Sequence, residues 1–293
     1  MAENPKSNLN ELHHWELGLF APSVSQLTPA ETIDLLSKMG YKWVEWRVQT
    51  LEAIENSPWG KAFNTMTLDH LLDDARDVAG FLHDSGVRVS GFQVDAPEDF
   101  PNVMQVVREA AQIMDCPSVV LSAPCFDPCM GYRLQRQSFQ DTLSKWIEAF
   151  SGSGLRLCLE THFGSITPST ALVMGVLEAF SPAQVGVMWD PANTIYEGSE
   201  IPAMALDLLG PYLAEVHLKN GAWKREEDGK WNFEFCDLSQ GLVQWPAVLG
   251  MLDEIPYHGP LIVEDYRWTE PEAKLAAARQ EFERAVAKAL ELG

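Results

Sequence analysis

A strict alternation of short apolar runs with longer amphipathic stretches constrains the fold of this chain more than any other feature. Eight runs have the length and residue content of strands: Trp15–Ala21, Trp43–Val48, Val87–Val94, Ser118–Ala123, Leu155–Glu160, Val185–Asp190, Leu213–Leu218 and Pro260–Asp265. Eight stretches have apolar residues at helical spacing: Thr28–Met39, Thr67–Ser85, Phe100–Met114, Tyr132–Phe150, Ser169–Phe180, Ile201–Leu209, Gln244–Ile255 and Pro271–Leu292. Strands that alternate with helices are parallel, because each helix carries the chain back to the start of the next strand. Eight such units in 293 residues predict a single α/β domain, a (β/α)8 TIM barrel.

An open, doubly wound sheet is the alternative architecture. Such a sheet usually has a glycine-rich phosphate-binding turn after its first strand, whereas the first strand here continues as LGLFAPSVSQ. No linker or low-complexity segment divides the chain, so we expect one domain over residues 1–293, with residues 1–14 as an N-terminal extension. Residues 221–240 form an insert after the seventh strand, and WKREEDGKWNFEF within it predicts a hairpin that turns at Asp228-Gly229.

The charge of the chain limits its partners. Acidic residues number 42 and basic residues 21, giving a formal net charge of −21 that opposes binding to nucleic acid and to anionic membranes. The sequence has no apolar run of transmembrane length and no signal peptide at its N-terminus. Its five cysteines complete no zinc site and are expected to be reduced thiols. We therefore expect a cytoplasmic protein with a small-molecule substrate, and a homo-oligomer is left open.

Four potential metal ligands end four successive predicted strands. Glu160 ends LRLCLE, Asp190 ends VGVMWD, His217 lies near the end of LAEVHL, and Glu264 ends PLIVE. In a parallel barrel the carboxyl ends of the strands surround one mouth, where the active sites of this fold lie. Three carboxylates so close together need a cation, and a divalent ion accepts oxygen and imidazole ligands together. Taken singly, each residue could instead face solvent or cap a helix, but the set predicts a divalent metal site.

Five sequence motifs resemble those of the sugar phosphate isomerase/epimerase family, which has a xylose isomerase-like barrel. They are LETH at 159–162, WDPAN at 189–193, EVHLKN at 215–220, IVED at 262–265 and GYKWVEWRV at 40–48. The resemblance runs from about Trp15 to the C-terminus. It implies one divalent metal ion (manganese, magnesium, cobalt or zinc) on a Glu-Asp-His-Glu set.

The matching positions of that set are Glu160, Asp190, His217 and Glu264. In the family's ketose epimerases and isomerases the two glutamates also move protons, which implies catalytic roles for Glu160 and Glu264. The function implied is isomerisation or epimerisation of a sugar or sugar-like polyol. A proton is removed beside a carbonyl, and an enediolate stabilised by the metal follows.

Five further residues are candidates for substrate binding: His162, Lys219, Glu45, Arg47 and Asn193. Each also has a structural interpretation. His162 could be a loop histidine, and Lys219 could pair with a carboxylate such as Asp190 or Glu215. Glu45 and Arg47 could form a buried pair that braces the mouth, and Asn193 could orient Asp190 through a hydrogen bond.

Three other functions compete with the isomerase. A metal-dependent dehydratase of the inosose or dehydroshikimate type would use the same ligands. An abasic-site endonuclease shares the barrel but needs three zinc ions, many histidines and a basic surface, which fit poorly with seven histidines and a net charge of −21. A carbohydrate-binding barrel without metal is the remaining alternative.

Overall fold

The computed structural model describes residues 15–57, 62–95, 102–267 and 269–292. The strands are β1 (Leu17–Phe20), β2 (Trp43–Gln49), β3 (Met66–Thr67), β4 (Arg88–Asp95), β5 (Ser118–Leu121), β6 (Arg156–Glu160), β7 (Val185–Trp189), β8 (Leu213–Leu218), β9 (Gly221–Arg225), β10 (Trp231–Phe235) and β11 (Leu261–Val263). The α-helices are α1 (Pro29–Lys38), α2 (Leu51–Glu55), α3 (Leu71–Leu82), α4 (Val103–Ile113), α5 (Tyr132–Ala149), α6 (Thr170–Leu177), α7 (Pro191–Glu197), α8 (Pro202–Leu209), α9 (Trp245–Asp253) and α10 (Pro271–Leu292).

Eight parallel strands close into a barrel, as predicted. Their order around the barrel is β1, β2, β4, β5, β6, β7, β8 and β11, and β11 pairs with β1 again. Gly18 lies at the closure, opposite Ile262 on one side and Trp43 on the other. A Cβ atom there would come within 2.3 Å of the Ile262 side chain, so the closure requires glycine.

Each predicted strand overlaps one barrel strand, and each predicted helix overlaps one observed helix. Phe100, the predicted start of α4, and residues 1–14 lie outside the described residues. The described residues also contain three short elements that the hydrophobic pattern did not predict: α2, α7 and β3. Elements of two to seven residues are too short to show a helical or strand period, but α7 has a local signal. Asp190 caps it by accepting hydrogen bonds from the backbone N–H groups of Ala192 and Asn193, and Pro191 follows at its first position.

The core lies between the barrel and the surrounding helices. Large aromatic side chains such as those of Trp46, Trp189 and Trp245 are fully buried there. The barrel interior holds a small apolar group formed by Val120, Cys158 and Met188. Toward the carboxyl ends of the strands the interior becomes polar. All five cysteines carry free thiols, and none of the helices in the described ranges is both long and apolar enough to cross a bilayer.

Candidate metal centre and its pocket

The four predicted ligands converge at the carboxyl end of the barrel. Glu160 ends β6, Asp190 follows β7, His217 lies in β8, and Glu264 follows β11. One ligand atom from each residue lies within 4.8 Å of the ligand atoms of the other three, and all four residues are buried. Their strands lie side by side in the order β6, β7, β8 and β11. Adjacent strands therefore bring residues far apart in sequence into one compact group, the metal centre.

A lysine lies among these carboxylates. The Nζ atom of Lys219 is 2.8 Å from Asp190 Oδ2 and 2.8 Å from Glu264 Oε2. Burial alone would lower the pKa of Lys219, but the two carboxylates raise it above its ordinary value. Burial alone would raise the pKa of Glu264, but Lys219 and His217 hold it well below its usual range. Lys219 is therefore a buried ammonium that pairs with Asp190, as one of the two sequence interpretations had it, and also with Glu264.

His217 is held from both sides of its ring. Its Nδ1 atom lies 3.0 Å from Glu264 Oε2, and its Nε2 atom lies 2.9 Å from Glu45 Oε2 and 3.4 Å from Glu215 Oε1. Burial and the nearby Glu215 raise the pKa of Glu45 to about 8. Burial alone would lower the pKa of His217, but the surrounding carboxylates, Glu45 first, raise it well above its ordinary value. Glu45, a candidate for substrate binding, contacts the side of the His217 ring that faces away from Glu264.

Two side-chain amides hold the Glu160 carboxylate. Asn193 Nδ2 donates to Oε1 at 2.9 Å, and Gln93 Nε2 donates to Oε2 at 3.1 Å. Burial raises the pKa of Glu160 above its ordinary value. Asn193 was a candidate to orient Asp190 through a hydrogen bond, and its backbone N–H donates to Asp190 Oδ1 at 3.0 Å, while its side-chain amide donates to Glu160. Gln93 ends the third predicted strand, and nothing in its sequence context identified its partner.

The residues fit a divalent cation. The donor set combines three carboxylates with one imidazole, a mixture that such ions accept. A metal on His217 Nδ1 leaves Nε2–H to donate to Glu45, the outer carboxylate that usually fixes a metal-binding histidine. The Lys219 ammonium between Asp190 and Glu264 also shows that this position stabilises positive charge. Glu45, Glu215 and His217 form a second group of possible ligands, but it shares His217 with the first.

The two remaining candidates lie on opposite sides of the mouth. Arg47, in β2, directs Nη2 to Gln93 Oε1 at 3.1 Å and to the Tyr266 hydroxyl at 3.3 Å, and its guanidinium lies 5.1 Å from the centre of the Phe20 ring. It does not pair with Glu45. His162 has Nδ1 2.8 Å from the carbonyl oxygen of Phe163, and its ring stacks on the ring of that residue.

The hairpin after the seventh barrel strand walls the mouth on the His162 side. Strands β9 and β10 pair antiparallel, and Gly229 takes the positive φ of 86° that the turn requires. Aromatic rings join the hairpin to α7, because Tyr196 contacts both Trp223 and Phe233. At the base of the hairpin the Phe235 ring lies 5.1 Å from Lys219 Nζ. These contacts make the hairpin a packed wall of the pocket.

Comparison with known families gives one match over most of the chain. Residues 33–286 match the family described as xylose isomerase-like TIM barrel. No curated protein is significantly similar to this chain in sequence.

Solved structures resemble the chain along nearly its whole length. An L-ribulose 3-epimerase has a TM-score of 0.70 at 14% identity, over 95% of this chain and 98% of the other. The probable 3-DHS dehydratase AsbF, involved in petrobactin synthesis in Bacillus anthracis, has a TM-score of 0.70 at 12% identity, over 90% and 97%. A xylose isomerase-like TIM barrel protein from Mycobacterium smegmatis, in complex with magnesium, has a TM-score of 0.69 at 14% identity, over 94% and 98%. At these identities the similarity shows the fold alone.

Proposed function

Because the chain belongs to the xylose isomerase-like TIM barrel family, we propose that it is a divalent-metal-dependent isomerase or epimerase of a sugar or sugar-like polyol. The observation that carries the proposal is the convergence of Glu160, Asp190, His217 and Glu264 within 4.8 Å at the mouth of the barrel. The magnesium complex of the Mycobacterium smegmatis protein supports a metal in this fold. Manganese, magnesium, cobalt and zinc all suit oxygen and imidazole ligands together.

The two glutamates are proposed to move the proton. When bound, the cation acidifies a proton beside a carbonyl. A carboxylate on one side of the substrate removes this proton, and a second one on the other side returns a proton. We assign these two transfers to Glu160 and Glu264, which lie at the ends of different strands of the barrel.

The other predicted residues divide into two groups. Arg47, Lys219 and His162 border the mouth and are proposed to contact substrate. Glu45 and Asn193 are proposed to act through others, since Glu45 reaches His217 and Asn193 reaches Glu160. This assignment changes the role of the second group from substrate contact to positioning.

A dehydratase is the second candidate, and Lys219 favours it. Elimination expels a hydroxyl group, and the buried Lys219 ammonium supplies a positive charge that would stabilise the negative charge developing on the leaving oxygen. The fold does not separate the two activities, because the epimerase and the probable dehydratase have the same TM-score of 0.70. A panel of ketoses and cyclitols separates them, because the dehydratase forms an enone that absorbs in the ultraviolet and the isomerase does not.

Solvent deuterium tests the proton chemistry. The manganese-loaded protein is incubated with the panel in deuterium oxide, and the substrate carbon beside the carbonyl is followed by NMR. Glu160→Gln and Glu264→Gln still offer the metal an oxygen, so manganese content is measured first in each. Loss of a positioned base typically costs ~10²–10⁴-fold in rate. If a variant that holds manganese exchanges at the wild-type rate, that glutamate is a ligand only. Absence of bound manganese in the wild-type protein would refute the proposed metal dependence.

A further inference from the structure

A cavity of about 330 Å³ opens beside the metal centre, between the segments that follow β1, β2 and β11. Three basic residues, Arg47, Arg267 and Lys274, line it, and no aspartate or glutamate is among the described residues of its wall. The chain as a whole has twice as many acidic as basic residues. A wall with cations and no carboxylates is therefore a local reversal of the overall charge, next to a centre that contains three carboxylates.

The three cations differ in how far they are neutralised. Arg267 is fully paired, since it donates to Asp265 at 2.9 and 2.8 Å and to Asp237 at 2.6 Å. Lys274 is buried, and its Nζ donates to the carbonyl oxygens of Ser23 at 2.6 Å and Asp265 at 2.8 Å. Within the described ranges Lys274 has no ion pair with a carboxylate. It is a buried cation held only by neutral oxygens.

Arg47 is the cation best placed to bind a ligand. Within the described residues its hydrogen-bond partners are the neutral oxygens of Gln93 and Tyr266, and the nearest carboxylate, that of Asp95, is 4.0 Å away. Its Nη1 atom donates no hydrogen bond to any residue of the described chain. Gln93 and Tyr266 hold the Nε and Nη2 side of the guanidinium, while Nη1 stays available. The N–H groups of Nη1 can donate charge-assisted hydrogen bonds to a carboxylate or phosphate oxygen.

A second polar group in the cavity wall lacks a partner. The Thr65 hydroxyl, Oγ1, is buried and has no hydrogen bond among the described residues. A buried hydroxyl without a partner is costly, so a ligand in the cavity that accepts its hydrogen bond would stabilise it. Thr65 can donate to an oxyanion that Arg47 also binds.

The cavity lies next to the proposed metal centre. Arg47 donates to Gln93, whose amide group donates to Glu160, so one side chain separates the cavity from the proposed base. On the other wall Ser23 accepts a hydrogen bond from the backbone N–H of Asp265, the residue after Glu264. A molecule of monosaccharide size that binds the metal with its reacting carbons would extend its far end into this cavity.

We infer that the cavity is the subsite for a carboxylate or phosphate group at the far end of the substrate, with Arg47 as its specificity-determining residue. The inference rests on the proposed function, which places the reacting end of the substrate at the metal. It narrows the substrate class to acidic sugar derivatives. Nη1 of Arg47 donates to the oxyanion, Thr65 adds a hydrogen bond, and the positive charge of Lys274 in the same wall attracts the anion.

Two pairs of ligands test the inference and separate the sources of the anion. D-Tagaturonate is compared with D-tagatose for a carboxylate, and D-fructose 6-phosphate with D-fructose for a phosphate. Their dissociation constants are measured by calorimetry on the full-length, manganese-loaded protein. We expect at least one acid to bind about tenfold more tightly than its neutral partner, and Arg47→Met to bring that ratio close to one. Arg47→Lys keeps the positive charge but not the planar guanidinium group, so it should give an intermediate ratio of the two dissociation constants.

Arg88→Met is the matched control. It makes the same change of charge at the start of β4, at the opposite end of the barrel, and should leave the ratio unchanged. Manganese affinity is measured separately in every variant. Failure to bind manganese refutes the proposed function, whereas loss of the acid preference in Arg47→Met would still support the subsite. Ratios below twofold for both pairs in the wild-type protein, or a ratio that Arg47→Met does not alter, would overturn the inference.

Discussion

The contact between Glu45 and His217 makes the sharpest prediction about the metal centre. Glu45 is fully buried, and its Oε2 atom is 2.9 Å from His217 Nε2. If this carboxylate holds the proton on Nε2, it also leaves Nδ1 free to bind a metal. Replacing Glu45 by Leu removes the acceptor, and replacing it by Gln keeps a weaker, neutral one. Both changes should weaken metal binding, because the histidine loses its preferred tautomer and orientation.

The structure sets the size of the effect. Loss of an outer partner of a metal-binding histidine typically costs ~10–100-fold in affinity, or ~1.4–2.7 kcal/mol. Glu215 Oε1 remains 3.4 Å from Nε2 and can replace part of the lost contact. We therefore expect ~10-fold for Glu45→Gln and up to ~100-fold for Glu45→Leu. The longer contact of Glu215 predicts a smaller loss for Glu215→Gln, which serves as the matched variant.

Manganese binding followed by electron paramagnetic resonance measures these affinities. Pulsed spectra also report the coupling of the imidazole nitrogen to manganese, which a purely structural role of Glu45 would not alter. Unfolding of each metal-free variant in urea is measured alongside, so that a change in folding stability is separated from a change in metal affinity. An unchanged manganese affinity in Glu45→Leu, with the nitrogen coupling intact, would show that Glu45 does not position His217.

Four further predictions follow from the same site. Chelation should lower the melting temperature and added manganese should restore it, since a ligand that binds only the folded state stabilises that state; calorimetry measures both. Manganese affinity should increase as the pH rises above the ordinary pKa of histidine, about 6.5, because the pKa of His217 is raised and its Nδ1 proton must leave before metal binds. Lys219→Met should destabilise the metal-free protein by ~3–5 kcal/mol in urea, since it leaves Asp190 and Glu264 buried without their cation, and manganese should recover most of the loss. DNA containing an abasic site should not bind at physiological salt in a fluorescence anisotropy titration.

The barrel could be predicted from the sequence because its signal repeats. Eight apolar runs recur at regular spacing, so an error in one of them would not change the predicted fold. The ends of the predicted strands differ from the observed ends by only a few residues. The strand Pro260–Asp265 is the clearest example: only Leu261–Val263 pairs in the sheet, because Glu264 and Asp265 turn toward the site and toward Arg267. The hydrophobic pattern did not predict the short helix α7, although Asp190-Pro191 is a recognisable helix start.

The ligands could be predicted for the same geometric reason, but their partners could not. A side chain at the carboxyl end of a parallel strand lies at the mouth of the barrel, whatever its neighbours are. Which atoms meet there depends on the stagger of the strands around the barrel. Glu45 and His217 are 172 residues apart, and Gln93 and Glu160 are 67 apart. Glu215 did carry a usable signal, because it lies two residues before His217 in the same strand and so faces the same side of the sheet.

The charges of the proposed metal centre account for its lysine and favour a divalent over a monovalent ion. Three carboxylates converge there, and one permanent cation, Lys219, pairs with two of them. With His217 neutral, the group retains two uncompensated negative charges in a buried setting, where isolated charges are costly. One divalent ion cancels both, whereas a monovalent ion leaves one. Without Lys219 a divalent ion would still leave a net negative charge beside any enediolate that forms, and like charges repel most strongly where water is excluded. Lys219 would therefore stabilise the enediolate as well as the buried carboxylates of the protein without substrate.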